Sequence, residues 1–271
     1  SAAAKAQMAT AYPEYERMGI EGVMVDFFDR DDQDTVNLVR EVVALSAKCH
    51  LTVTLHNVYK PTGLERTYPN LLSTEAARNL EFDKWDPVGV LPEQELIVPF
   101  VRMLAGPIDY HSGSFRNVAR GDFKPVDKAP MTIGTRARQL ARYVVYEGAL
   151  PMIADSPAVY EASPSGLSFL VEVPTTWDET RFLAGEVGRY VVLARRKGRD
   201  WYLGAMNDES PRVVKVPLLF LGNGRYRTER WADGASPTEM AISRGEARRS
   251  ETLNLDLAAS GGMAVRFRPE R

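Results

Sequence analysis

The chain has 271 residues, 44% apolar and 26% charged, with a formal net charge of −2. That is the balance of a globular protein with room for one large domain or two, and a charge this close to neutral argues against nucleic acid or an anionic membrane as partner. The longest apolar runs fall short of the roughly 18 residues that span a bilayer; no basic segment followed by an apolar one marks a signal peptide; and the single Cys49 excludes an internal disulfide and reads as a small buried apolar residue.

In chain order, residues 2–18 read as a helix and residues 20–28 as a strand. The strand is apolar on both faces (Val23, Met24, Val25) until it delivers Asp26, the pattern of a strand buried in a parallel sheet. Residues 31–49 follow as an amphipathic helix, with Val36, Leu38, Val39, Val42, Val43 and Leu45 on the apolar side. Leu51–Leu55 is the next strand, ending at His56 and Asn57, and a loop through Lys60-Pro61-Thr62-Gly63 comes after it. A helix is expected over 74–81 and another over the apolar stretch 94–105, with Asp109-Tyr110 at a strand end. Residues 133–147 predict a helix, and Leu150–Asp155 a last strand that again ends in an acid. Strand and helix alternate at the spacing of a parallel α/β unit.

From about residue 170 short β-rich runs follow one another, punctuated by Gly188, Lys197-Gly198, Asn207-Asp208, Gly222-Asn223-Gly224 and Gly261-Gly262. These predict an antiparallel sandwich. About five strand–helix units precede it, too few for a (β/α)8 barrel of about 250 residues.

Asp26, His56 and Asp155 stand at strand ends, which would gather them at one edge of a parallel sheet, where barrel enzymes keep their catalytic groups. Two carboxylates facing one cleft can divide acid and nucleophile roles, as glycoside hydrolysis requires. Each residue also has a plainer reading. Asp26 could cap the following helix, and the run Asp29–Asp34 suits an acidic first turn better than a metal loop. His56 could be a satisfied core histidine, Lys60 a solvated charge, and Glu75 and Glu81 surface carboxylates that meet only if a loop separates them.

Taken together, ordered segments resemble motifs of glycoside hydrolase family 97. They are Gly22–Gln33; Lys60–Gly63 with Arg66–Asn70; Pro99-Phe100 with Arg102–Pro107 and Asp109-Tyr110; Ala154–Pro157; and Val173-Pro174 with Trp177–Thr180. The resemblance implies the later part of a catalytic (β/α)8 barrel, from about its fourth strand, over 1–172, and a C-terminal β-sandwich domain over 173–271. It implies a retaining enzyme of the α-galactosidase type, with Asp26 as nucleophile and Glu81 as general acid/base. Inverting α-glucosidases of the family carry a base Glu where this chain has Asn57. Glu75 matches a position that helps hold a calcium ion, with at least one further ligand outside this chain. The Asn79-Leu80 before Glu81 departs from the family's usual Arg-Gly. His56, Lys60, Trp85, Asp109 and Asp155 are the expected sugar-contacting residues, with Tyr110 a further stacking candidate, and a glycoside is the expected partner. The family suggests a periplasmic or secreted bacterial enzyme. Two alternatives stay open: a non-catalytic carbohydrate-binding or structural fragment, and an inverting α-glucosidase. A half barrel would also expose a sheet edge, so self-association through that edge is expected.

Overall fold

The computed structural model describes residues 2–270. The chain divides into two compact units. The first runs to Ala77 and adds Arg102–Asp109 and Gly148–Leu150. Its elements are α1 (Ala2–Arg17), β1 (Gly22–Val25), α2 (Gln33–Lys48), β2 (Thr52–Leu55) and β3 (Leu71–Thr74). The three strands pair in parallel in the order β1-β2-β3.

Asp32 starts α2 by accepting the Thr35 N–H at 3.0 Å, so the helix cap is Asp32 and not Asp26. Val39, Val42, Val43 and Ser46 repeat at helical spacing and are buried. The three valines pack with Val53, Leu55, Val58 and Leu71 in one apolar cluster. Each such aliphatic contributes about 1.5 kcal/mol or more on burial. Tyr12 of α1 closes a smaller cluster with Leu51 and Cys49, which is buried as expected.

Three expectations need correction. The strand 20–28 is shorter, because Phe27 and Asp29 take left-handed backbone conformations that end it at Val25. No helix forms over 74–81. Leu71–Thr74 joins β2 as a strand instead, Ala76 is left-handed, and a 3₁₀ turn follows at Leu80–Lys84. The stretch 94–105 is broken around Pro99, which has no N–H to donate, into a single α turn and two 3₁₀ turns.

The second unit holds Arg78–Val101, Tyr110–Glu147 and everything from Pro151. Its first part contains α3 (Pro92–Glu95), β4 (His111–Ser112), β5 (Asn117–Val118), β6 (Thr132–Ile133), α4 (Arg136–Val145), β7 (Met152–Ile153), α5 (Pro157–Glu161) and α6 (Pro164–Glu172). Short parallel pairs join β4 to β7 and β5 to β6.

Eight longer strands follow: β8 (Glu179–Glu186), β9 (Tyr190–Lys197), β10 (Asp200–Asn207), β11 (Arg212–Pro217), β12 (Arg225–Asp233), β13 (Met240–Arg248), β14 (Thr252–Leu257) and β15 (Gly262–Pro269). Six make an antiparallel sheet ordered β13-β12-β15-β10-β9-β8, and β11-β14 pair separately. Trp201, Leu203, Val265 and Phe267 of the large sheet share a core with Val214, Val216, Leu253 and Leu255 of the small one, which is the expected sandwich. The other face of the large sheet receives α4. Glycine makes that approach close: a Cβ on Gly204 would lie 2.6 Å from the Ala141 carbonyl oxygen, and one on Gly262 2.7 Å from the Arg138 Cα.

Charge is buried under this packing. Glu95, Arg138 and Arg142 are at most 1% exposed, and the Glu95 carboxylate pairs with both guanidiniums. Tyr110 donates to the same carboxylate at 3.1 Å, and Tyr146 to the Glu95 carbonyl at 2.7 Å.

Candidate active site

Parallel pairing lines up chemistry at the carboxyl ends of the first unit's strands. Val25 is level with Leu55, and Leu55 with Thr74. The residues that follow, Asp26, His56 and Glu75, therefore stand side by side. Hydrogen bonds carry the ladder one step past the strands, His56 N–H to the Val25 carbonyl at 2.9 Å and Glu75 N–H to Leu55 at 2.8 Å. Ile108 bridges Thr74 in parallel, and Asp109 N–H reaches the Thr74 carbonyl at 2.9 Å. Asp109 thus extends the row to four residues.

The row is tied together by side chains. His56 is 3% exposed, with Nδ1 at 2.8 Å from Asp109 Oδ2 and Nε2 at 3.1 Å from Glu75 Oε1. Each ring nitrogen thus faces a carboxyl group. Glu75 is 5% exposed, so it is not the surface carboxylate that its sequence context allows. Its Oε2 accepts the Asn57 N–H at 2.8 Å. Asp26 is half-buried, and its Oδ1 accepts the Phe27 N–H at 2.5 Å. Lys60 is exposed in its loop.

Arg102, within the segment Arg102–Pro107, has a task that its sequence does not announce. It is buried and donates to the carbonyls of Thr74, Glu75, Gly106 and Pro107 and to the Thr74 hydroxyl. Burial lowers its pKa to about 10, which leaves it charged near neutral pH. It fixes the backbone on both sides of Glu75. The signal available in the sequence is an arginine inside an otherwise apolar stretch.

In the second unit Glu81 stands half-buried on the 3₁₀ turn Leu80–Lys84. The turn has two anchors. Asn79, fully buried, accepts the N–H groups of Leu80 and His111, each at 2.8 Å. Asp83, also fully buried, accepts the Val90 N–H at 2.8 Å. Burial pushes the Asp83 carboxyl up to about 7, with the Val90 N–H opposing and the charge of Glu95 adding to the rise. Trp85 is 55% exposed, its ring 5.3 Å from that of Phe82. Asp155 is committed to the protein: it pairs with Arg116 and accepts the Phe115 N–H at 2.6 Å. Tyr110 is buried. Each unit thus supplies part of the expected constellation, with Asp26, His56, Lys60, Glu75 and Asp109 in the first, and Glu81, Trp85 and Asp155 in the second.

A calcium ion takes six to eight oxygen ligands. A carboxylate offers about four lone-pair sites, so two donors do not exhaust Glu75, and its chemistry fits one ligand of such a set. The nitrogen of His56 beside it is not a calcium donor.

Comparison with known proteins gives concordant results. The model described as "Glycoside hydrolase 97" matches residues 1–77, and "Glycosyl-hydrolase 97 C-terminal, oligomerisation" matches residues 176–268. A retaining alpha-galactosidase of Bacteroides thetaiotaomicron is 38% identical over 94% of this chain and 39% of its own length. A probable retaining alpha-galactosidase of Streptomyces bingchenggensis is 32% identical over 96% of the chain and 38% of its own. This chain therefore spans about two fifths of the length of the curated relatives it matches. Among solved structures, a family 97 enzyme of Pseudoalteromonas sp. strain K8 in complex with acarbose superposes with a TM-score of 0.86 at 34% identity, over 98% of this chain and 44% of that one. A beta-arabinopyranosidase superposes with a TM-score of 0.81 at 26% identity, over 97% and 41%.

Proposed function

The chain belongs to glycoside hydrolase family 97, and we propose that it carries the catalytic residues of a retaining enzyme for terminal α-galactosides. The observation that carries the reading is Asp26 at the carboxyl end of β1, in one row with His56, Glu75 and Asp109, in a chain whose curated relatives are named retaining alpha-galactosidases. The arabinopyranosidase likeness supports a galacto-type preference, because a β-L-arabinopyranoside has the ring stereochemistry of an α-D-galactoside.

In this reading Glu81, protonated, donates to the leaving glycosidic oxygen while the Asp26 carboxylate attacks the anomeric carbon. A glycosyl ester forms on Asp26. Glu81 then takes a proton from water, which cleaves that ester and releases a sugar of retained configuration. In the assembled enzyme the two carboxyl groups should stand ~5–5.5 Å apart. Lys60 and Trp85 would meet the sugar directly. His56, Asp109 and Asp155, all buried, would brace the groups that do. Glu75 would supply one ligand to a calcium ion, which as a Lewis acid would favour negative charge on sugar oxygens nearby.

The same reading puts the boundary between barrel segment and C-terminal domain at residue 172. It also gives the chain two routes to self-association. One is the open β1 edge, where Met24 is 43% and Phe27 76% exposed. The other is the segment matched by the oligomerisation model. An α-glucosidase is the second reading, favoured by the acarbose complex of the Pseudoalteromonas relative. The test is hydrolysis of p-nitrophenyl α-galactoside and α-glucoside by the chain joined to the upstream sequence that its relatives carry, with Asp26→Asn and Glu81→Gln alongside. Loss of turnover in both variants, with the α-anomer formed first by proton NMR, is expected. A first-formed β-anomer would sink the retaining assignment.

A further inference from the structure

Backbone strain gathers at one place in the first unit. Six non-glycine residues have positive φ among the described residues, and four of them lie just beyond β1, β2 and β3: Phe27 (63°), Asp29 (56°), Asn57 (44°) and Ala76 (43°). Asn and Asp tolerate this region, whereas a phenylalanine there is a genuine outlier. Such conformations persist only where the surroundings over-determine them, and they mark functional sites.

Asn57 is where the surroundings do so. Its backbone N–H donates to Glu75 Oε2 at 2.8 Å, and its side-chain amide donates to Asp29 Oδ1. One residue thus joins the end of β3 to the turn that begins at Asp26. Inside that turn the Asp26 carboxylate accepts the N–H of Phe27, so the aim of the carboxylate follows the Phe27 peptide. The peptide is held between β1 on one side and the Asp29–Asn57 contact on the other.

Resting on the reading above, we propose that Asn57 is a positioning residue: its amide latches Asp29 and so keeps the strained Asp26–Asp29 turn, and with it the Asp26 carboxylate, in register with Glu75. On this proposal the latch works through the turn and not by contact with the substrate. It acts on the geometry of attack, where roughly an ångström of misplacement costs up to about 100-fold in rate.

Asn57→Gly is the decisive variant, because glycine accepts the left-handed backbone without strain but has no amide to donate. In the full-length enzyme acting on an aryl α-galactoside, Asn57→Gly and Asp29→Ala should each lower kcat by about 10–100-fold with KM within about threefold. The double variant should fall no further than the worse single one, since the pair acts as one device. Asp29→Asn keeps an acceptor oxygen and should recover most of the rate. The melting temperature of Asn57→Gly should match that of the parent, which separates positioning from folding. Wild-type kcat in Asn57→Gly, or losses that multiply in the double variant, would overturn the latch. If Asp26→Asn is inactive while the latch variants are normal, the latch fails and the proposed function stands. Full activity in Asp26→Asn overturns both.

Discussion

Replacing Glu95 by glutamine should be the most damaging single isosteric change in the second unit. Glu95 is the one carboxylate shared by Arg138 and Arg142, and all three side chains are at most 1% exposed. Burial alone would raise the Glu95 carboxyl, but the two guanidiniums outweigh burial and hold it below its ordinary value of 4.5. A glutamine can accept from one arginine only, and its NH₂ group faces the N–H groups of the other. Two buried cations then share no counter-charge. Breaking a buried pair in this way costs about 3–5 kcal/mol. At roughly 3 °C per kcal/mol for a chain of this size, that lowers the melting temperature by about 12 °C. Near-ultraviolet circular dichroism through the melt would follow it, since Trp201 and Trp231 are both buried in that unit. The sign of the pH dependence adds a check. Because the folded pKa is depressed, the network's stabilisation is present above 4.5 and lost as pH falls through the lower folded value. Replacing all three charges by apolar residues of similar size should recover most of the stability. A melting temperature for Glu95→Gln within about 2 °C of the parent would refute the reasoning, because that is less than 1 kcal/mol.

Asp83 behaves in the opposite sense. Its folded pKa is raised from 3.8 to about 7, so its own contribution to stability is greatest below 3.8 and falls as pH rises toward 7. Asp83→Asn keeps an acceptor for the Val90 N–H and should remove that fall, stabilising the chain above pH 7 by at most about 4 kcal/mol in denaturant titrations. Arg102→Lys should cost about 3 kcal/mol in the same assay, because an ammonium cannot reach the five oxygens the guanidinium now serves. In the full-length enzyme it should also lower kcat by disturbing Glu75. Met24→Lys on β1, the end strand of the three-stranded sheet, should shift the light-scattering masses of this 271-residue chain toward the monomer, and an unchanged distribution would assign association to another surface.

The parts of this fold that follow simple periodicity were legible in the sequence. Apolar runs announced β1 and β2, the 3.6-residue repeat announced α2, and turn residues announced the sandwich strands. β3 was not legible. It has four residues, its Ser73 and Thr74 are polar yet buried, and its pairing with β2 shifts register. The helix expected across Glu75 gave way to that pairing, which places Glu75 beside His56 in the row. The ion network was invisible for a related reason. Nothing local marks Glu95, Arg138 and Arg142 for burial, because only the pairing that tertiary packing brings makes it tolerable. For the site, Asp26 and His56 stood out as strand-end residues, and the parallel ladder sets them side by side. Asn57 bonds to carboxylates, and Arg102 to backbone carbonyls, that lie far away in sequence, and no local pattern announces such contacts.

The central claim is that Asp26 becomes covalently glycosylated. In a 2-deoxy-2-fluoro α-galactoside with a good leaving group, the fluorine slows both formation and hydrolysis of a glycosyl ester, and the leaving group restores the formation alone. Incubated with the full-length enzyme and examined by mass spectrometry after proteolysis, it should add one fluorosugar to the peptide that contains Asp26, and none in Asp26→Asn. A label on any other residue, or turnover of the parent sugar through an inverted product with no label at all, would contradict the account.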